Sequence, residues 1–370
     1  MKIAIFHELN YGGARRTVND FAKTLKKNHL VDLYLVDAEI SKEEKFFSGV
    51  FFYKFIPKKW TGKNWKTRLY KDTIELYKLY KLHKRIAKDV NSGEYDLVFV
   101  HPSKYTQAPF VLQFLKKKTI YYCQEPLRIV YDPQIASIEK IPLLKRPYEF
   151  VNRIIRKYID RKNISCASYI LVNSEYSQKT VKSAYGRESI VCYLGVDTNL
   201  FKPLEVKKIF DVLFIGNKDQ RSRYKLFCDA VLLLKKNPKI YIKLRTSFNI
   251  DDSNFVKLYN SSRMVITLTK SEPFGLIPLE AMACAVPIIA INEGGYKETI
   301  VDGKTGYLVE EDPFMLSDTI KNLLENPRMA LDIGYNGRRN ILHHWSLEKR
   351  SSELIRIFNE FIQKSTIKYK

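Results

Sequence analysis

Three runs decide the fold: Met264-Val265-Ile266-Thr267-Leu268, then Ser271-Glu272-Pro273-Phe274-Gly275-Leu276-Ile277-Pro278-Leu279-Glu280-Ala281-Met282-Ala283, then Pro287-Ile288-Ile289-Ala290-Ile291. The first and third are almost unbroken β-branched and apolar residues. Strands buried on both faces have that composition, and parallel sheets bury both faces. Between them, a turn containing Gly275 leads into a Leu-, Ala- and Met-rich helix. A strand, a helix and a second buried strand in sequence make a βαβ unit.

The same alternation extends in both directions. Strand-like runs occur at Lys2–Phe6, Val31–Val36, Leu97–Val100, Thr119–Cys123, Tyr169–Val172, Ile190–Tyr193, Val212–Ile215 and Ile240–Leu244. Helical periodicity occupies Thr17–Lys27, Asp72–Asp89, Ser177–Tyr185, Tyr224–Leu234 and Pro313–Leu324. The fold class is therefore α/β, with doubly wound parallel sheets. The pattern restarts at Asp211, after a polar, Pro203-containing stretch without periodicity. We expect an N-terminal domain over 1–205, a second domain over 206–345, and a C-terminal helix in 346–370 able to pack back on the N-terminal domain. A chain of 370 residues suits two domains.

Hydrophobic residues make up 45% and charged residues 28% of the chain, enough for two cores and incompatible with a disordered chain. The five cysteines are scattered and form no C-x-x-C pair, which predicts reduced thiols and no zinc site. Residues 1–6 are apolar but too short for a secretory h-region, and no run reaches the ~18 apolar residues of a membrane span. A cytoplasmic protein is expected, with peripheral attachment to the inner face of the cell membrane.

The net charge is +23, which asks for an acidic partner. Residues 1–205 hold 37 Lys+Arg against 21 Asp+Glu. The densest stretch, Lys54–Lys88, sets 12 basic residues against Asp72 and Glu75 and interleaves Trp60, Trp65, Tyr70, Tyr77 and Tyr80; Ile141–Lys162 sets 7 against 2. A solvated helix face has this composition. So does a surface that docks on anionic lipid headgroups, each Lys or Arg contributing ~1 kcal/mol. Nucleic acid could use the charge, but no recognisable module accompanies it.

Two places could carry chemistry. Gly12-Gly13 follows the first strand and opens a helix, where backbone N–H groups can approach a phosphate or sugar closely. The spacing does not make G-x-G-x-x-G. In the Ser271–Ala283 stretch, two glutamates stand eight apart across a turn and a helix start. Glu280 lies among small residues and needs a partner for its carboxylate. Phe274-Gly275-Leu276 presents backbone N–H groups at a helix N-terminus, suited to a diphosphate.

That stretch resembles the donor-site signature of glycosyltransferase family 4, whose members show Glu-x7-Glu in the setting E-x-F-G-x-x-x-x-E-A-M-A. The similarity continues through Val286–Ala290, Glu293-Gly294-Gly295, Glu298 and Asp302–Val309. It includes Leu171–Ser177, the Leu194–Pro203 linker, Trp345-Ser346, and Cys123-Gln124-Glu125-Pro126-Leu127-Arg128 with Tyr131-Asp132. The last resembles a loop of mannosyltransferase-like members. The resemblance implies a GT-B fold, two Rossmann-like domains facing a central cleft, and retaining transfer from a nucleoside-diphosphate sugar. It implies that Glu272 contacts the donor sugar at the reaction centre and that Glu280 holds the ribose. It further implies that the Phe274-Gly275-Leu276 backbone meets sugar and diphosphate, and that Gly12 and Gly13 approach the diphosphate from the other domain. Gln124, Glu125 and Arg128 become acceptor-side candidates, together with His101 after its strand.

Three departures qualify it. Asn217 stands where the family has an arginine, and Ser222 where it has a lysine, so Arg221 or Arg223, then Lys225, are the candidate cations for the leaving diphosphate. Gln124 replaces a histidine and cannot take a proton. The segment between Phe210 and Glu272 is short. The chain has no Asp-x-Asp triplet, and neither metal nor other cofactor is expected. The expected reaction moves mannose or glucose from a nucleotide sugar to a glycan or lipid-linked acceptor, in making cell-surface polysaccharide or glycolipid. Its rivals are a non-catalytic nucleotide-sugar binder and a nucleic-acid-binding protein.

Overall fold

The computed structural model describes residues 1–10, 12–37, 45–58, 65–132, 139, 141–234, 237–243 and 252–367, excepting the side chains of 252 and 362–367. Tyr11, Trp60, Leu244 and Asp251 lie outside the described residues. The chain divides into two compact units, Met1–Asn173 with Gln178–Val191, and Ser174–Ser177 with Cys192–Lys370.

The first unit is built on a wholly parallel seven-stranded sheet. Its strands are β1 (Lys2–Glu8), β2 (Leu30–Asp37), β3 (Gly49–Lys54), β4 (Leu97–Ser103), β5 (Thr119–Tyr122), β6 (Tyr169–Val172) and β7 (Ile190–Val191), in the order β3-β2-β1-β4-β5-β6-β7. Ile3–Phe6 and Leu97–Val100 are buried on both faces, as their unbroken apolar sequence requires. The strand order reverses between β1 and β4, and ligands of such sheets bind beyond the strand C-termini at this reversal. Strand β3 was not expected. As an edge strand paired only with β2, it buries little, and its Gly-Val-Phe-Phe-Tyr-Lys sequence runs straight into the basic stretch.

The second unit has five parallel strands, β8 (Phe210–Ile215), β9 (Ile240–Lys243), β10 (Ser262–Thr267), β11 (Ile288–Ile291) and β12 (Tyr307–Val309), ordered β12-β11-β10-β8-β9. Its reversal lies between β8 and β10. Strand β12 has three residues, too few to show a pattern in sequence. Asp252 opens the helix Asp252–Asn260.

The sequence reading ended the first domain at residue 205, whereas the first unit ends at Val191. Backbone and side-chain bonds explain the difference. Val196 N–H donates to Trp345 O at 2.9 Å, and Leu347 N–H donates to Val196 O at 2.9 Å. Arg338 donates to Phe201 O at 2.7 Å and Thr198 O at 3.3 Å. At Gly195 a Cβ would meet Leu347 Cα at 2.6 Å, so only glycine permits this approach. The linker is thereby fastened to the second unit, which also contains the helix Leu347–Ile367.

Candidate active site

In the second unit, the segment following β10 runs over Leu268–Gly275 into the helix Leu276–Ala283. Gly275 caps that helix at φ 94°, and a Cβ there would strike the Tyr296 ring at 2.5 Å. No side chain caps the helix, so its first N–H groups keep their donor capacity. Phe274 is buried against Tyr193 and Trp345 (ring centroids 6.1 and 5.7 Å), and Leu276 is half-buried. Ser174 Oγ donates to Pro273 O at 2.5 Å. The loop is thus held from both sides before any ligand is considered.

Glu272 is half-buried. Its carbonyl accepts the Gly295 N–H at 2.9 Å. A Cβ on Gly294 would lie 2.5 Å from that same carbonyl oxygen, and one on Gly295 would lie 2.5 Å from Phe274 Cα. The Gly294-Gly295 pair therefore packs backbone against backbone on Glu272–Phe274. Glu280 is 4% exposed, and its Oε2 accepts the Tyr259 hydroxyl at 2.7 Å. Sequence reasoning required a partner for this carboxylate but did not find Tyr259, which is completely buried on the helix Asp252–Asn260.

The turn after β8 sorts the candidate cations. Arg223 sits in the left-handed region at φ 48° and its side chain is almost fully buried. It donates to Leu268 O at 3.2 Å and to both oxygens of Glu293 at 3.1 and 2.8 Å, with Glu311 at 3.0 Å. Burial pulls its pKa down, but the two carboxylates outweigh this and raise it. Burial likewise pushes Glu293 up, and Arg223 with the Ser271 N–H brings its carboxyl below the usual range. Arg223 thus serves a fixed ion pair. Lys225 is bound to Asp229 at 2.6 Å on the outer face of its helix. Arg221 is exposed, and its carbonyl accepts the Lys270 N–H at 2.8 Å, which ties the turn to the Glu272 loop. Ser222 is buried and its Oγ accepts the Asn217 N–H at 2.8 Å, closing the turn.

A third acidic residue completes the second unit's edge. Glu298 accepts the N–H groups of Tyr176 and Glu175 at 2.9 Å each and the Tyr193 hydroxyl at 3.0 Å. It stands at the N-terminus of the helix Glu175–Tyr185, where a carboxylate satisfies open donors and the helix dipole.

In the first unit, Gly12 has φ 144° and caps the helix Gly13–Leu25, which has no acidic residue in its first turn. Both glycines are half-buried at the β1–β4 reversal. In the Cys123–Arg128 loop, Arg128 donates to Glu125 Oε2 at 2.5 Å, and Gln107 Nε2 donates to Glu125 O at 2.8 Å. Gln124, Glu125 and Arg128 are half-buried. His101 requires a correction. It was a candidate for the acceptor side, with a structural role as the alternative, and it is completely buried, with its ring against Phe99, Tyr122 and Phe21 at centroid distances of 4.5, 5.6 and 6.2 Å. Burial lowers its pKa to about 3, so it is a neutral core residue. Glu8, on β1, is equally buried. His83 Nδ1 accepts the Val111 N–H at 3.1 Å, leaving Nε2 to donate to Glu8 at 2.8 Å.

The family model "Glycosyl transferases group 1" matches residues 200–340. The capsular polysaccharide biosynthesis glycosyltransferase CapM of Staphylococcus aureus is 30% identical over 287 residues, covering 66% of this chain and 73% of that protein. The chain belongs to the group 1 glycosyltransferases, the family 4 of its motifs. It is also similar to human alpha-1,3/1,6-mannosyltransferase ALG2, at 23% identity over 319 residues, covering 73% of this chain and 74% of that protein. Sucrose-phosphate synthase from Thermosynechococcus elongatus matches with a TM-score of 0.72 at 16% identity, covering 98% of this chain and 99% of that one. Anabaena Alr3699/HepE, solved in complex with UDP and glucose, matches at 0.71 and 18%, covering 97% and 100%. The fold of this glycosyltransferase is GT-B, with two parallel-sheet α/β domains.

As a glycosyltransferase, the enzyme offers polar groups at the C-terminal edge of each sheet. On the second sheet these are the Glu272 loop, the open N–H groups of the Leu276–Ala283 helix, and buried Glu280.

Proposed function

We propose that the enzyme transfers a hexose from a nucleoside-diphosphate sugar to a hydroxyl of a glycan or lipid-linked acceptor, with retention of anomeric configuration. The observation carrying this reading is the Glu272–Gly275 loop, packed on Gly294-Gly295 beside the β8–β10 reversal and followed within one helix by the anchored Glu280. Glu272 contacts the donor sugar's hydroxyls and Glu280 the ribose. The N–H groups of Phe274, Gly275 and Leu276 face sugar and diphosphate. Arg221, at the turn joined to the Glu272 loop, meets the charge that develops on the leaving diphosphate. The charge is assigned to protein groups, with no metal in the reaction.

The bond from C1 to the β-phosphate oxygen breaks, and a bond from C1 to the acceptor oxygen forms on the same face. The acceptor's proton passes to the departing phosphate oxygen, because Gln124 cannot receive it. Glu125 and Arg128, paired with each other, orient the acceptor. The mannosyltransferase-like loop, with the similarity to a protein named as a mannosyltransferase, favours mannose, carried as GDP-mannose, and the basic, aromatic stretch Lys54–Lys88 favours an acceptor at a membrane surface. The complex of HepE with UDP-glucose favours a second reading, UDP-glucose. A thermal-shift screen with GDP, UDP and ADP and their sugars tests this, followed by NMR of the product anomer. A shift with a guanosine or uridine nucleotide and a retained anomer support the reading. An inverted product, or full activity in Glu272→Ala, refutes it.

A further inference from the structure

The helix Arg146–Ser165 is inside out. An ordinary surface helix buries an apolar stripe and shows its polar face to water. Here the buried residues are Asn152, Asp160, Asn163 and Ile164. Asn163 donates to Ala108 O at 2.7 Å, Asp160 accepts the Ala108 N–H at 3.2 Å, and Arg156 donates to Tyr105 O at 3.2 Å and to Asp72. Tyr148 also donates to Asp72, at 2.9 Å. Hydrogen bonds and ion pairs hold most of the inner face, and only Ile164, at its C-terminal end, joins the hydrophobic core among the fully buried residues.

The outer face carries Phe150, Val151, Ile154, Ile155 and Tyr158, between 48% and 66% exposed. At 3.6 residues per turn they span an arc of about 140°. Leu143 and Leu144 lead into it, Leu144 at 97% exposed. Scattered apolar residues on a surface are normal, but a contiguous apolar face marks an interaction site. Lys157 lies beside this arc, and exposed Lys145, Arg161 and Lys162 stand at its ends.

We propose that this face inserts into an anionic phospholipid bilayer. The inference deepens the reading of a membrane-surface acceptor and rests on it. Charge selects the occupant. A lipid surface with negative headgroups complements the lysines and arginines bordering the apolar arc, while a second copy of this chain, itself at +23, would bring like charges together. The location fits the chemistry. Lys157 Nζ stands over the Tyr131 ring at 5.9 Å, and Tyr131 ends the short helix Arg128–Tyr131 that follows the acceptor loop. Insertion of the 150–158 face sets the Gln124–Arg128 loop beside the headgroups, where a lipid-linked hydroxyl is found. The basic stretch at Lys54–Lys88 then adds attraction without insertion.

The test is flotation of the full chain with phosphatidylcholine vesicles, with and without phosphatidylglycerol, at low and high salt. The triple variant Phe150→Ser, Ile154→Ser, Ile155→Ser keeps the net charge and alters only exposed positions; circular dichroism verifies its fold. The wild type is expected to float with anionic vesicles and to stay partly bound at high salt, since insertion is not screened. The variant is expected to lose about tenfold or more in partitioning. Equal flotation of variant and wild type overturns the proposal, as does failure of the wild type to bind. Light scattering showing a dimer that the variant dissolves also overturns it, by making a second copy the occupant. Nucleotide-sugar binding without vesicles is measured in parallel. Its absence would undo the transferase reading while leaving the flotation result to stand alone.

Discussion

Arg223 grips Glu293 with two hydrogen bonds, at 3.1 and 2.8 Å, and Glu293 Oε1 also receives the Ser271 N–H at 2.6 Å. One carboxylate therefore joins the turn after β8 to the backbone immediately before Glu272. Glu293→Gln halves the charge pairing of a nearly buried guanidinium. The expected cost is about 3 kcal/mol of unfolding free energy, together with about a tenfold or greater fall in kcat/KM as the Glu272 loop loses its anchor. Urea unfolding and initial rates measure the two. Arg223→Met should lose a similar amount, and the double variant should lose less than the sum of the singles. Strictly additive losses would show that the pair does not act as one unit.

The Gly294-Gly295 contact makes a sharper steric claim. Gly294 has φ 59°, and a Cβ would meet a backbone oxygen rather than a flexible side chain. Gly294→Ala cannot be relieved by a rotamer change, so the loop bearing Glu272 must move. We expect donor-dependent turnover to fall by about two orders of magnitude, as misplacement near 1 Å does, with about 1–3 kcal/mol lost from stability. Gly303→Ala is the control: φ is 67°, but nothing lies within 4 Å of the added carbon. It should cost stability alone. If both variants keep wild-type turnover, the close approach to Glu272 has no catalytic consequence.

Much of this architecture was legible because buried parallel strands and the Ser271–Ala283 stretch are strong local signals. Ten strand-like runs correspond to strands, and the helical periodicities at Tyr224 and Pro313 begin where the helices begin. What sequence concealed depends on partners far away along the chain. Strand β3 exists because β2 offers an edge, not because its own alternation is clear. Tyr259 and Glu280 are 21 residues apart and meet only after β10 has threaded between them. His101 carries the same polar symbol whether it faces solvent or sinks among Phe21, Phe99 and Tyr122. Arg223 and Arg221 are two residues apart in one basic turn, and only the left-handed backbone at Arg223 turns its side chain to Glu293.

Burial of His101 makes a signed claim about acid stability. Its pKa is about 3 in the folded chain against 6.5 when unfolded, so folding excludes a proton that the unfolded chain would take up. Stability from this group is fully present above about pH 6.5 and is lost as pH falls toward 3. By pH 5 the loss is about 2 kcal/mol. His7, also buried and lowered chiefly by burial, acts in the same direction. His101→Phe fits an aromatic surrounding and should flatten part of the slope between pH 7 and pH 5 in urea titrations. An unchanged slope would mean that His101 titrates alike in the folded and unfolded chain.

Asp160 works with the opposite sign. Burial raises its pKa from 3.8 to about 7, although the Tyr185 hydroxyl at 2.7 Å and the Ala108 N–H at 3.2 Å favour the ionised form. The folded chain therefore keeps a proton that the unfolded chain releases near pH 4. Stability from the neutral carboxyl is complete below about pH 4 and falls as pH rises through 7. Across that window the loss approaches about 4 kcal/mol. Asp160→Asn keeps one acceptor for Ala108 and cannot ionise. Unfolding midpoints at about pH 5 and pH 8 should then differ less in the variant than in the wild type, with the variant gaining relative stability at the higher pH. Subtracting the two slopes cancels the histidine contribution, which both proteins share. A variant slope parallel to the wild type would show that Asp160 is ionised in the native protein throughout, held so by Tyr185 and the backbone.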